Sequence, residues 1–140
     1  MNSEPAVTTY LIPEPFERAL KVVRDALVRG ELSIAAELDV SARIKRELNI
    51  GFGPCRILLV DSPCLLLEAC TLDRAAMALL PLHVVLCGRG PQTVVHWRNP
   101  AALGGGRLPT GAAAPLLKLQ TQVARSIERV ARRRDIYQLA

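Results

Sequence analysis

Aromatic side chains make up only 4% of this 140-residue chain: one tryptophan, two tyrosines and two phenylalanines. Proteins that hold single-stranded nucleic acid stack its bases on such rings, so that class is left without its platforms. No helix-turn-helix or zinc-finger spacing appears either, and no specific nucleic-acid partner is expected. Histidine occurs twice, and the four cysteines (Cys55, Cys64, Cys70 and Cys87) show no C-x-x-C spacing. No apolar run approaches the ~18–20 residues that cross a bilayer, and no basic region followed by an apolar stretch opens the sequence. The expectation is a cytoplasmic protein with no membrane partner, its cysteines free thiols. Gly104-Gly105-Gly106-Arg107 lacks the strand-to-helix setting and the Lys-Ser/Thr of a phosphate loop. No cofactor motif is recognised, and no cofactor is expected.

What is present is apolar. Half the residues are hydrophobic and mean hydropathy is +0.22, which excludes a disordered chain. A chain of this length is most simply one domain, 1–140. The formal charge is +5. Residues 116–140 hold six Lys/Arg against two Asp/Glu, so most of the basic character sits at the C-terminal end.

The hydrophobic periodicity orders the elements as β-α-β-α-β-α-β-β-α over a core of 6–98, a Gly/Ala/Pro-rich loop 99–115 and an amphipathic helix 116–135. Val7–Leu11 reads as an edge strand. Phe16, Ala19, Leu20, Val23 and Leu27 recur at helical spacing up to Gly30, a preferred helix terminator. Leu32–Leu38 alternates as a strand, and Asp39 or Ser41 can cap a short helix 42–48. A strand from Cys55 follows. Ser62 and Pro63 supply the cap and first-turn proline of a helix 64–72. Pro81 then admits a strand 82–87, and Gly88–Gln92 reads as a hairpin connection longer than the two-residue kind, with Thr93–Arg98 returning antiparallel. The loop 99–115 offers little to pack. In the last helix, Leu116, Leu119, Val123, Ile127 and Val130 form the apolar stripe, and Arg132–Arg134 continue its basic end. The fold class is α+β: one domain with a curved, mainly antiparallel sheet, helices packed on one face and a long C-terminal helix.

Glu37-Leu38-Asp39-Val40, Pro54-Cys55-Arg56-Ile57-Leu58, Ser62-Pro63, Leu79-Leu80-Pro81 before a Val-rich strand, Asn99-Pro100 and the final amphipathic helix occur in the order seen in the domain-of-unknown-function-302 family. The chain resembles that family over roughly residues 6–134. The resemblance implies a small α+β domain with a curved antiparallel sheet, and a homodimer. It carries over no activity. Residues 101–114 look like an insertion relative to the family pattern.

His83, Cys87 and His96 form the best chemical constellation. His83 and Cys87 share a strand face, and His96 lies on the partner strand. If Cys87 pairs with Thr93, His83 opposes Trp97 and His96 faces away. If the hairpin slips so that His83 opposes His96, the three approach one another and offer soft and borderline metal ligands. Cys64, in the first turn of a helix, is the candidate reactive thiol. Glu37 and Asp39 share a strand face in a spacing that acid–base chemistry uses, although Asp39 also has a capping role.

Three functional readings follow. The first is a non-enzymatic, homodimeric module whose sheet or interhelix groove accepts a small apolar ligand or a protein partner, with the His83/Val85/Cys87 face as the dimer surface. The second is a metal- or thiol-redox-handling protein using Cys and His on the 82–98 hairpin, or Cys64. The third is a weak polyanion binder through the basic C-terminal helix. No catalytic set is recognised, and the sequence alone leaves open whether the protein is an enzyme.

Overall fold

The computed structural model describes residues 6–98 and 108–134. Its elements are β1 (Val7–Ile12), α1 (Phe16–Arg29), β2 (Ser33–Asp39), α2 (Val40–Leu48), β3 (Cys55–Asp61), α3 (Pro63–Leu72), a 3-10 segment (Arg74–Leu79), β4 (Leu82–Arg89), β5 (Gln92–Arg98), α4 (Ala113–Glu128) and β6 (Arg132–Arg134). They build one α+β domain around a six-stranded sheet of order β2-β3-β4-β5-β1-β6. Every neighbouring pair is antiparallel.

Local signals set the boundaries. Asp39 accepts a hydrogen bond from Ala42 N at 2.9 Å and starts α2. Ser62 caps α3, with Pro63 at its first turn. Asn49 closes α2 in the left-handed conformation. Gly111 is demanded by proximity: a Cβ there would lie 2.4 Å from Leu72 Cβ and 2.9 Å from Asp73 N, so the entry to α4 presses against the end of α3.

The core lies on one face of the sheet. Tyr10, Ile12, Leu58, Val60, Leu82, Val84, Leu86, Val95 and Trp97 project from the strands into a cluster completed by Leu20, Val23 and Leu27 of α1 and by Leu116, Leu119, Val123 and Ile127 of α4. On β3 it is Leu58 that faces the helices, while Ile57 points to the other side beside Leu38 and Val85. Full burial of each large aliphatic side chain contributes about 1.5–3 kcal/mol.

Four expectations are corrected. β1 is no edge strand: it pairs with β5 on one side and β6 on the other. The 88–92 connection is shorter than expected. Arg89 pairs with Gln92, which leaves Gly90-Pro91 as a two-residue turn with Gly90 at φ 63°, the positive φ that a II′ hairpin requires at its first central residue. The last helix neither begins at Leu116 nor reaches residue 135. It spans Ala113–Glu128, and Arg132–Arg134 leave it to form β6 against β1. β1 offers a free row of backbone donors and acceptors there, and pairing with it satisfies more groups than further helix would. These three arginines therefore do not prolong the helix, whose basic residues are Lys118, Arg125 and, at its C-cap, Arg129. Finally, the 99–115 loop gives way to helix at Ala113; its residues 99–107 lie outside the described part.

Candidate functional site

α4 packs its apolar stripe chiefly against α1 and α3. Its other flank stands off from the β5-β1-β6 end of the sheet, and a cavity of ≈ 400 Å³ opens between them. Helical spacing places Leu117, Gln120, Thr121, Ala124, Arg125 and Glu128 along this flank. Alternation along the strands supplies Thr8 and Tyr10 from β1, Trp97 from β5 and Arg133 from β6. Cross-strand register brings them together, because Thr8 opposes Trp97 and Tyr10 opposes both Val95 and Arg133.

The polar groups of this cavity are unevenly satisfied. Tyr10 Oη donates to Glu128 Oε1 at 3.1 Å. Burial pushes the Tyr10 phenol above its ordinary pKa. The Glu128 charge and its hydrogen bond add to that, while the Trp97 indole and Arg133 pull the other way. Trp97 is 3% exposed, and its Nε1–H is buried without completing a hydrogen bond; Gln120 Oε1 is buried and likewise unpartnered. Most buried polar groups find a protein or water partner; these two residues line the same cavity, whereas Arg56 Nε and Gln122 Oε1, also buried and unpartnered, lie outside it. The Arg125 and Arg133 guanidiniums and the Glu128 carboxylate bring it a net positive charge.

The residues singled out in the sequence lie elsewhere. His83, Cys87 and His96 all share the sheet face away from the helices, but neither anticipated register holds: Cys87 pairs with Val94, and His96 with Val85. His96 is thus diagonal to both of the others, a spacing of about 7–8 Å between strands. His83 and Cys87 lie four residues apart along β4, roughly 13 Å at about 3.3 Å per residue. Among the described residues, no three His, Cys, Asp or Glu side chains come together to hold a metal. His96 Nδ1 instead lies 2.9 Å from Thr9 Oγ1, and burial depresses its pKa. Cys64 is exposed at the start of α3. Cys87 does meet a thiol, that of its cross-strand partner Cys55.

Glu37 and Asp39 sit among arginines. Glu37 takes both prongs of Arg24, one at 2.9 Å, and a further contact from Arg56; Asp39 pairs with Arg56 at 3.1 Å. The Arg24 hydrogen bond holds the Glu37 carboxyl below its usual range, and the Ala42 N–H does the same for Asp39. Two low-pKa carboxylates each held by arginine tie β2 to α1 and β3 and are poor proton shuttles.

Tyr10, Trp97, Gln120 and Arg133 were not grouped from the sequence. Tyr10 and Trp97 are two of only five aromatic residues, and each sits on the inward phase of its strand. That was a readable hint, but the position of Arg133 depends on a strand that the helical pattern concealed.

Fold and cavity together define a small single-domain α+β protein with a helix-on-sheet cleft. The chain belongs to the family described as Domain of unknown function DUF302, whose model matches residues 8–133. Its fold is similar to that in the crystal structure of an uncharacterized conserved protein DUF302 from Bacillus stearothermophilus, with a TM-score of 0.80 at 14% identity, covering 91% of this chain and 99% of that one. At that identity the likeness concerns the fold. No curated protein matches the sequence. Among the described residues, no helix is long and apolar enough to cross a membrane.

Proposed function

We propose that this protein is a non-enzymatic binding module whose ligand, a small organic anion, occupies the cleft between α4 and the β5-β1-β6 end of the sheet. The observation carrying this reading is a pair of buried polar atoms on the wall of one ≈ 400 Å³ cavity: Trp97 Nε1–H, which lies beside Tyr10 Oη without completing a hydrogen bond, and the unpartnered Gln120 Oε1. That volume falls in the range of small-molecule pockets, which combine apolar walls with a few placed polar groups. Tyr10, Trp97, Leu117 and Ala124 give the apolar surface, Thr8 and Thr121 add hydroxyls, and Arg125 and Arg133 favour a carboxylate or phosphate.

The single tryptophan makes the test direct, because its indole N–H gives one resonance in an ¹⁵N-labelled sample. Titration with benzoate, salicylate and small phosphate esters should move that resonance saturably. Gln120→Leu and Arg133→Ala should each weaken the response severalfold while leaving the rest of the spectrum in place. If no probe moves the Trp97 signal, or if both variants respond as the wild type does, the reading is wrong.

The homodimer belongs to the same proposal and uses another surface. Leu11, Ile57, Leu59, Val85 and Val94 form adjacent rows on the sheet face away from the helices. Of the ionisable residues of that face, Asp61, His83, Arg89, Arg98 and Arg132 lie toward its margins, while His96 stands among the rows between Val85 and Thr9. A second copy presenting the same apolar rows is the matching cover, as an isologous interface requires. Light scattering should give twice the chain mass at micromolar concentration, and Val85→Arg should return the monomer. A wild type that stays monomeric would exclude this assembly.

A further inference from the structure

Cys55 and Cys87 are direct cross-strand partners on β3 and β4. Gly88 N donates to Pro54 O at 2.9 Å, which makes the next pair along, Cys55 and Cys87, a non-hydrogen-bonded one. In such a pair the Cα atoms stand about 4.5 Å apart and the side chains are at their closest. That separation falls inside the roughly 4.4–6.8 Å range over which disulfides form. The Cys87 thiol already lies 3.7 Å from Cys55 Sγ. Both side chains leave the sheet on the face away from the helices, where Cys87 is partly exposed and Cys55 is buried beneath it.

We propose that Cys55 and Cys87 are a reversible oxidation site, closing to a cross-strand disulfide with glutathione disulfide or another small disulfide as the oxidant. Cys87, partly exposed in the single chain, loses its proton and its sulfur attacks one sulfur of the oxidant, a step that takes place while no second copy covers this face. The oxidant's S–S bond breaks, a Cys87–glutathione bond forms and one glutathione thiolate leaves. Cys55 then loses its proton and attacks Cys87 Sγ, forming the Cys55–Cys87 bond and expelling the second glutathione. Two protein thiols are oxidised by two electrons, the oxidant becomes two glutathione thiols, and the two protons pass to these. Burial, reinforced by the adjoining Cys87 thiol and by Asp39, pushes the Cys55 thiol up to about 11. Burial, the first of these causes, persists in the mixed disulfide, so the second step quickens as pH rises and the Cys55 thiolate fraction grows. Cys64 and Cys70, on α3, take no part.

The test uses the full wild-type chain in native buffer with glutathione disulfide. Mass spectrometry should show a transient single-glutathione adduct followed by loss of two hydrogens from the reduced mass. Peptide mapping should assign the new bond to Cys55 and Cys87, and dithiothreitol should restore the starting mass. Cys55→Ser, checked for fold by circular dichroism, should stop at the Cys87 adduct. A wild type that keeps all four thiols at equilibrium with excess oxidant would overturn the proposal, as would a bond mapping to Cys64 or Cys70. Because the wild-type readout needs no variant to fold, a structural failure of Cys55→Ser leaves the result decisive.

Discussion

Tyr10 Oη donates to Glu128 Oε1 across 3.1 Å, joining the second-outermost strand of the sheet to the last turn of α4. The two residues are 118 positions apart, and both line the cleft. Tyr10→Phe keeps the ring and deletes the bond, which should cost about 1.5–3 kcal/mol as for other hydrogen bonds to charged groups. Urea unfolding at neutral pH measures it. The folded pKa of Tyr10 is raised, so the stabilisation is complete below its unfolded value near 10 and disappears as pH climbs through the folded value. The difference between wild type and Tyr10→Phe should therefore shrink only in strong alkali. A difference that vanishes by pH 8 would mean that the bond is not the cause.

His96 gives the opposite pH signature. Burial lowers its pKa, so the folded state favours the neutral ring. Its contribution is intact above the unfolded value near 6.5 and is lost as pH falls through the lower folded value. The urea midpoint of the wild type should drop on acidification in that window, and His96→Gln should flatten the drop. Identical acid profiles for the two proteins would show that His96 titrates in the folded state as it does in the unfolded chain.

Gly111→Ala should destabilise by about 1–3 kcal/mol, the usual cost of overpacking. The added methyl would meet Leu72 Cβ and the Asp73 backbone nitrogen, and backbone cannot swing aside as a side chain tip does. Thermal unfolding should register the loss. An unchanged melting temperature would mean that the α3–α4 junction has slack.

Val84 is fully buried opposite Leu58 and Trp97. Val84→Asp would place an unpaired charge in the core and should abolish folding, seen as loss of near-ultraviolet circular dichroism. A soluble variant with a native spectrum would reverse the assignment of sheet faces.

The elements that could be read from the sequence are those whose partners are near in the chain or whose period is clean. Phe16–Leu27 shows one apolar stripe and has a glycine behind it, and Ser62-Pro63 announces α3 unaided. Leu82, Val84 and Leu86 share the face that β4 turns to the helices. What stayed hidden depends on distant pairing. Arg132–Arg134 follow a helical stripe without interruption, and only the unpaired side of β1, more than 120 residues earlier, draws them into a strand. The hairpin register at 82–98 differed from both alternatives because Gly90-Pro91 closes a tight turn, and that shift decided how far apart His83, Cys87 and His96 would stand. The cleft was illegible for the same reason: Tyr10, Trp97, Gln120 and Arg133 come from four elements, and no local pattern links them.

The interior position of β1 also sets an order of assembly. Thr9 meets His96 across 87 residues of chain, so β1 has no lasting partner until β5 exists. Its other side stays unpaired until β6 arrives. Closing so long a loop is slow, and until then β1 is an unpaired strand bearing the inward-facing Tyr10 and Ile12. The central hairpin β4–β5 has no such wait, since Arg89 and Gln92 are joined by two residues. Its formation sets the template onto which the two ends of the fold, far apart in sequence, are later laid side by side.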